Sequence, residues 1–123
     1  MKFRVARHTS QLPEMITFYK DIIGLQALGS FNNHDGYDGV FLGLPGLGWH
    51  LEFTTSEYAP QHTSDEDDFL VFYVNTKADQ DAIRNKCIEA GVPILTAKNP
   101  YWNKDGLVIS DPDEIKLIIA ISR

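Results

Sequence analysis

Cysteine is almost missing from this chain. Cys87 stands alone, so no intramolecular disulfide can form, and a reducing, cytoplasmic compartment is expected. Long apolar runs are missing too: none approaches the roughly 18 residues that span a bilayer. The opening stretch MKFRVARHTS has neither an apolar signal core nor a small-residue cleavage site. No membrane partner is expected. Blocks of positive charge are also lacking. Eleven Lys and Arg lie scattered against seventeen Asp and Glu, for a net charge of −6, which argues against nucleic acids and anionic lipid surfaces. What is present is 123 residues with 43% hydrophobic content, enough for one domain with a core that needs no covalent or metal staple. A small molecule or a protein remains as partner.

Along the chain, FRVARH (3–8) alternates as a strand, with Phe3 and Val5 on one face and Arg4, Ala6 and His8 on the other. A helix follows, with Thr9 or Ser10 as cap, Pro13 in the first turn and Glu14 at the positive end of the dipole. Met15, Ile16, Tyr19, Ile22 and Ile23 recur at helical spacing, and Gly24 is the stop. LQALGSF (25–31), VFLGL (40–44) and WHLEFTT (49–55) read as strands, with NNHDGYDG (32–39) as a loop. SEYAPQHTSDEDD (56–68) is polar and acidic, a solvated connector that lacks the glycine and ligand spacing of a calcium loop. The second half repeats the plan: strand FLVFYV (69–74), a helix over 78–90 that buries Ala82, Ile83, Cys87 and Ala90, then strands at 93–97, 106–110 and 115–121. The chain is thus two copies of a strand–helix–three-strand unit, module one about 1–55 and module two about 69–123.

A tandem βαβββ repeat carrying FYKDIIGL at 18–25, EAGVPI at 89–94 and a DPD turn at 111–113 resembles the vicinal-oxygen-chelate superfamily, which includes glyoxalase I, extradiol dioxygenases and the bleomycin- and fosfomycin-resistance proteins. The resemblance covers nearly all of residues 1–123 and implies a single α+β domain. Its two modules would form one curved mixed sheet, with helices on the convex side and a ligand or metal cavity on the other. Alternation agrees. Phe3, Val5, Leu51, Phe53, Leu70, Phe72, Val74, Leu117, Ile119 and Ile121 make a wholly apolar layer for the helices. Arg4, His8, His50, Glu52, Phe69, Val71, Tyr73, Lys116 and Ile118 fall on the opposite, mixed face.

Metal-dependent members of the superfamily keep one His or Glu ligand on the first and last strand of each module. Carried onto this chain, those positions hold Arg4, Glu52, Phe69 (or Asp68 with a one-residue slip) and Ile118. One ligand of four survives. The resemblance also puts the first and fourth strands side by side, so an Arg4–Glu52 ion pair can stand where the metal would. No cofactor is expected. If a divalent ion does bind, a displaced His8, His50 and Glu52 set is the candidate.

The expectation is a protein of the bleomycin-resistance-like kind that binds a small organic molecule through Arg4, His8, His50, Glu52, Tyr73 and Trp102. No catalytic residue is assigned. The alternatives are a metal-dependent lyase or dioxygenase built on His8, His50 and Glu52, and a protein-interaction or regulatory module. Relatives with a single pair of modules dimerise, so a homodimer is expected. Trp49 and Tyr101 are further candidates for an aromatic wall, His34 reads as a loop residue, Cys87 as an inert buried thiol, and Arg7 as a surface residue.

Overall fold

The structure, a computed structural model, describes residues 1–122. Contacts divide the chain into two compact units, Met1–His62 and a second that starts at Thr63.

The first unit runs β1 (Phe3–His8), α1 (Leu12–Thr17), a π-helical turn (Phe18–Ile23), β2 (Gln26–His34), β3 (Tyr37–Gly43) and β4 (Trp49–Thr55). Its four strands lie in the order β1-β4-β3-β2, with β1 parallel to β4 and the other pairs antiparallel. The helix starts without a side-chain cap: Gln11 holds the cap position, and Thr9 Oγ1 instead accepts the Gln11 N–H at 2.9 Å just outside the helix. Pro13 occupies the first turn as expected, where its missing N–H costs nothing. The helix then widens into the π-helical turn, which buries Phe18, Tyr19 and Ile22 before Gly24 ends it in the left-handed region.

This helical segment lies against β3 and β4. The Tyr19 and Phe53 rings stack with centroids 5.0 Å apart, and Met15, Tyr19, Leu42 and Leu51 are buried with them. With Leu51 and Phe53 turned to the helix, strand alternation leaves His50 and Glu52 on the other face. Phe3, expected in the apolar layer, is 63% exposed: it sits at the start of β1, which pairs on one side only. Arg7, expected at the surface, is half-buried, and its Nε has no hydrogen-bond partner among the described residues. The eight-residue loop expected at 32–39 contracts to Asp35-Gly36. Both residues have positive φ, 53° and 87°, as a tight two-residue hairpin demands, so β2 and β3 extend almost to their junction. His34 therefore ends β2, exposed, rather than sitting in a loop.

The second unit runs β5 (Phe69–Val74), α2 (Lys77–Ala90), a short 3₁₀ turn (Pro100–Asn103), β6 (Leu107–Ser110) and β7 (Lys116–Ile121). Its sheet has the order β5-β7-β6, with β5 and β7 parallel. Thr76 caps α2 by accepting the Asp79 N–H, and Gly91 ends it with positive φ. Ile83 and Cys87 are buried as expected, but Ala82 and Ala90 are exposed; buried Gln80 instead shares their face and donates to the carbonyls of Asp105 and Ile119. The strand expected at 93–97 is reduced to one bridge, Leu95 opposite Val108. Pro93 has no N–H for a ladder, and the Ala97 backbone is taken on both sides by the Asn103 side chain at 2.7 and 2.8 Å. The DPD turn is held by buried Asp111, whose Oδ1 accepts the N–H groups of Asp113 and Ile115.

Candidate functional site

The register of β1 and β4 puts Arg4 opposite His50, Ala6 opposite Glu52 and His8 opposite Thr54. Arg4 reaches across both neighbours. Its Nε–H donates to His50 Nε2 at 2.9 Å, and its Nη1 donates to Glu52 Oε1, also at 2.9 Å. The guanidinium lies 5.0 Å from the centre of the Phe41 ring, and the His50 imidazole meets that ring edge-on. One cation is thus held by a carboxylate, an imidazole and an aromatic face. Because His50 Nε2 accepts, the imidazole is neutral there and carries its proton on Nδ1.

His8 is engaged elsewhere. Its Nδ1 lies 2.8 Å from Thr54 Oγ1, and its Nε2 lies 2.9 Å from the Tyr58 carbonyl and 3.1 Å from Ser56 Oγ. A carbonyl only accepts, so Nε2 carries a proton and donates it toward Tyr58, while Nδ1 shares a hydrogen bond with the Thr54 hydroxyl. Both ring nitrogens are committed to the chain leaving β4. The displaced set of His8, His50 and Glu52 is therefore not gathered around one point. Among the described residues, no three His, Cys, Asp or Glu side chains group to hold a metal ion.

The donor set fits a divalent cation poorly. Arg4, at the first-strand position, is a donor-only cation, and the two remaining donors already accept its N–H groups. In the second unit, Ile118 is fully buried in an apolar cluster with Ala97, Val108 and Ala120, and Phe69 packs against that cluster. Neither can ligate.

Tyr73 and Trp102 come together in the second unit, lining a hollow of about 540 Å³ with Tyr101, Lys104 and Asp105. Trp102 is half-buried on the Val108–Ile118 cluster, while Tyr73 is 64% exposed. Tyr101 meets Trp102 edge-on. Trp49 is half-buried at the start of β4. Burial raises the Cys87 thiol above its ordinary pKa, with Arg84 pulling the other way.

A second hollow of about 400 Å³ lies on the mixed face of the first unit, beside Arg4 and His50. Sequence reading missed its other walls, Lys2, Leu28, Phe41 and Leu44. Phe41 could have been found by alternation once β3 was aligned with β4, since it pairs with Glu52. Leu28 carries no such signal, because the bulge between Ala27 and Gly29 breaks the alternation of β2, whereas Lys2 lies one step before β1 with the parity of Arg4.

Residues 3–54 match the YycE-like N-terminal domain, and residues 67–120 match the YycE-like C-terminal domain. The uncharacterized protein YycE of Bacillus subtilis (strain 168) is 40% identical over 125 residues, covering 99% of this chain and 88% of that one. A 2.0 Å crystal structure of a Bacillus subtilis YycE, of unknown function and proposed there to be a glyoxalase or fosfomycin-resistance protein, superposes with a TM-score of 0.90, over 99% of this chain and 90% of that one, at 40% identity. The trypanothione-dependent glyoxalase I of Leishmania major gives a TM-score of 0.74 at 19% identity, over 96% of this chain and 84% of that one. A FosX variant from Listeria monocytogenes, complexed with manganese(II) and a dihydroxypropylphosphonic acid, gives 0.74 at 11% identity, over 98% and 90%. At such identities these two speak for the fold alone. Matched in both halves by the YycE-like models and at 40% identity by a relative along almost its whole length, the chain belongs to the YycE-like family and has the α+β fold of the vicinal-oxygen-chelate superfamily.

Proposed function

We propose that this chain binds a small organic molecule on the mixed face of its sheet without a metal, in the manner of a bleomycin-resistance-like protein. The observation that carries the reading is the Arg4 guanidinium bonded at 2.9 Å to both His50 and Glu52. A fixed cation placed against two acceptors offers one positive charge at the place where a divalent ion would bring two. It cannot lose a ligand or activate a bound water, so the reading is binding rather than metal-assisted turnover. The second unit has an aromatic surface of its own in Tyr73 and Trp102, and within the first unit His8 holds the chain that leaves β4. We further propose a cytoplasmic homodimer; sedimentation equilibrium giving a monomer at micromolar concentration would remove that part.

The test uses protein purified without a metal-affinity tag. Inductively coupled plasma analysis is expected to find divalent metal far below one per chain. Amide spectra recorded against a fragment library are expected to shift at Arg4, His50 and Glu52. A stoichiometric divalent ion that these residues hold would overturn the reading in favour of a metal-dependent enzyme. A library that moves nothing on this face would overturn it in favour of an interaction module.

A further inference from the structure

We infer that the hollow beside Arg4 takes an organic carboxylate with an apolar tail, which names a ligand class for the face already read as a small-molecule site and rests on that reading. The chain is acidic overall, at −6, yet this hollow is lined by two cations, Lys2 and Arg4, and by no acid among the described residues. A local reversal of sign in an acidic protein focuses anions. Glu52 stands behind Arg4 rather than in the hollow, and it accepts through one oxygen only. Arg4 has five N–H donors, of which Nε and one on Nη1 are used, and its side chain is 49% exposed. The Nη2 donors are uncommitted among the described residues and open to a carboxylate oxygen. His50 holds the guanidinium from one side and Phe41 lies under it, so little freedom is lost when an anion arrives.

The rest of the lining is aliphatic or aromatic. Leu28, Phe41, Leu44 and Leu47 surround the cationic end, and Leu28 and Leu47 are nearly half exposed. Such side chains gain by covering a hydrocarbon tail. The volume, about 400 Å³, suits a head group with a chain of several carbons rather than an inorganic anion. A charged head at Arg4 and Lys2 with an apolar body over the leucines is the occupant that satisfies both parts of the wall.

Octanoate, octanol and octylammonium share one tail and differ in head group, so they separate the terms. Titrated into the full chain and followed by amide shifts and calorimetry, octanoate is expected to bind at least tenfold tighter than octanol, with octylammonium weakest. Lys2→Glu, on an exposed residue outside the core, is expected to weaken octanoate about tenfold and to leave octanol unchanged. Arg4→Gln is expected to abolish the preference for octanoate over octanol. Octanol binding as tightly as octanoate, or Lys2→Glu leaving octanoate unaffected, would overturn the carboxylate assignment while the small-molecule reading stands. A chain on which none of the three moves a resonance near Arg4, though other fragments do, overturns the assignment in the same way. If no fragment moves this face, both fall.

Discussion

Arg4 and Glu52 can be uncoupled and the cost read. Glu52 is 13% exposed on its side chain and Arg4 49%, so their contact at 2.9 Å is screened on one side only. Two opposite charges about 4 Å apart attract by roughly 4 kcal/mol at an effective dielectric of 20, while fully exposed pairs measure only about 0.2–1 kcal/mol. A half-screened pair belongs between these, at about 1–2 kcal/mol of coupling. Arg4→Met keeps the apolar stem over Phe41 but leaves Glu52 and His50 Nε2 without their donor. It is expected to destabilise by about 2–3 kcal/mol, since an acceptor left unpaired out of water costs about 1–3 kcal/mol. Glu52→Gln keeps an acceptor oxygen and is expected to cost about 1 kcal/mol. The double variant should then be more stable than the sum of the two losses predicts, by the coupling energy. Urea unfolding of the four proteins measures it, and for a chain of this size each kcal/mol moves Tm by about 3–5 °C. Repeating the cycle in 1 M salt, where the Debye length is about 3 Å, should reduce the coupling but not erase it. Losses that add to within about 0.5 kcal/mol would refute the pair as a structural unit.

Other perturbations test other parts of the structure. Arg4→His places a third potential ligand beside His50 and Glu52, and calorimetry is expected to show zinc binding tighter than that of the parent chain; no gain would mean that Arg4 is not what weakens metal binding here. A Cβ on Gly106 would lie 2.4 Å from the Trp102 carbonyl oxygen, so Gly106→Ala must move that backbone. It is expected to cost about 1–3 kcal/mol and, in a Trp49→Phe background, to shift Trp102 fluorescence to the red. Asp111→Ala leaves the Asp113 and Ile115 N–H groups without their acceptor and should lower stability by about 2–4 kcal/mol in denaturant titrations. The raised Cys87 pKa predicts slow thiol labelling in the folded chain. It also predicts stability lost as pH rises past the unfolded thiol's ordinary value, because the native state holds its proton longer. Labelling as fast as in urea would contradict the burial.

Much of the site could be read from WHLEF and FRVARH because strand alternation is a local rule. His50 and Glu52 fall on one face and Leu51 and Phe53 on the other whatever the rest of the chain does. Arg4 faces them because β1 pairs with β4, a long-range pairing supplied by the superfamily resemblance rather than by any local signal. Where pairing itself decides, sequence reading loses its hold. Phe3 has the right parity for the core but lies on a strand paired on one side. Residues 93–97 have strand composition, yet Asn103 takes the Ala97 backbone groups that a ladder would need. His8 has the right parity for a metal site, but its two nitrogens are claimed by Thr54, Ser56 and Tyr58, a closure set by the path of the chain after β4. The π-helical turn is equally silent, since its apolar positions also satisfy a 3.6-residue period.

On the mixed face the inner strand β3 carries Tyr37, whose ring meets His8 edge-on, and Phe41, with bare glycines at 39 and 43. A Cβ at Gly43 would come 3.0 Å from His50 Cβ and 3.1 Å from Leu28 Cδ1, and one at Gly39 would strike the Phe31 ring. The side chains of β2 and β4 therefore lean inward over bare peptide. In the binding proposed above, the head group would meet β1, β4 and Lys2 just before β1, and the depth beneath the tail would be set by the bare glycines of β3. The two can drift independently. A single methyl at position 43 would lift Leu28 and His50 and trim the reach of the hollow without altering a charge, so relatives could change the length of molecule they accept while keeping the same electrostatic grip.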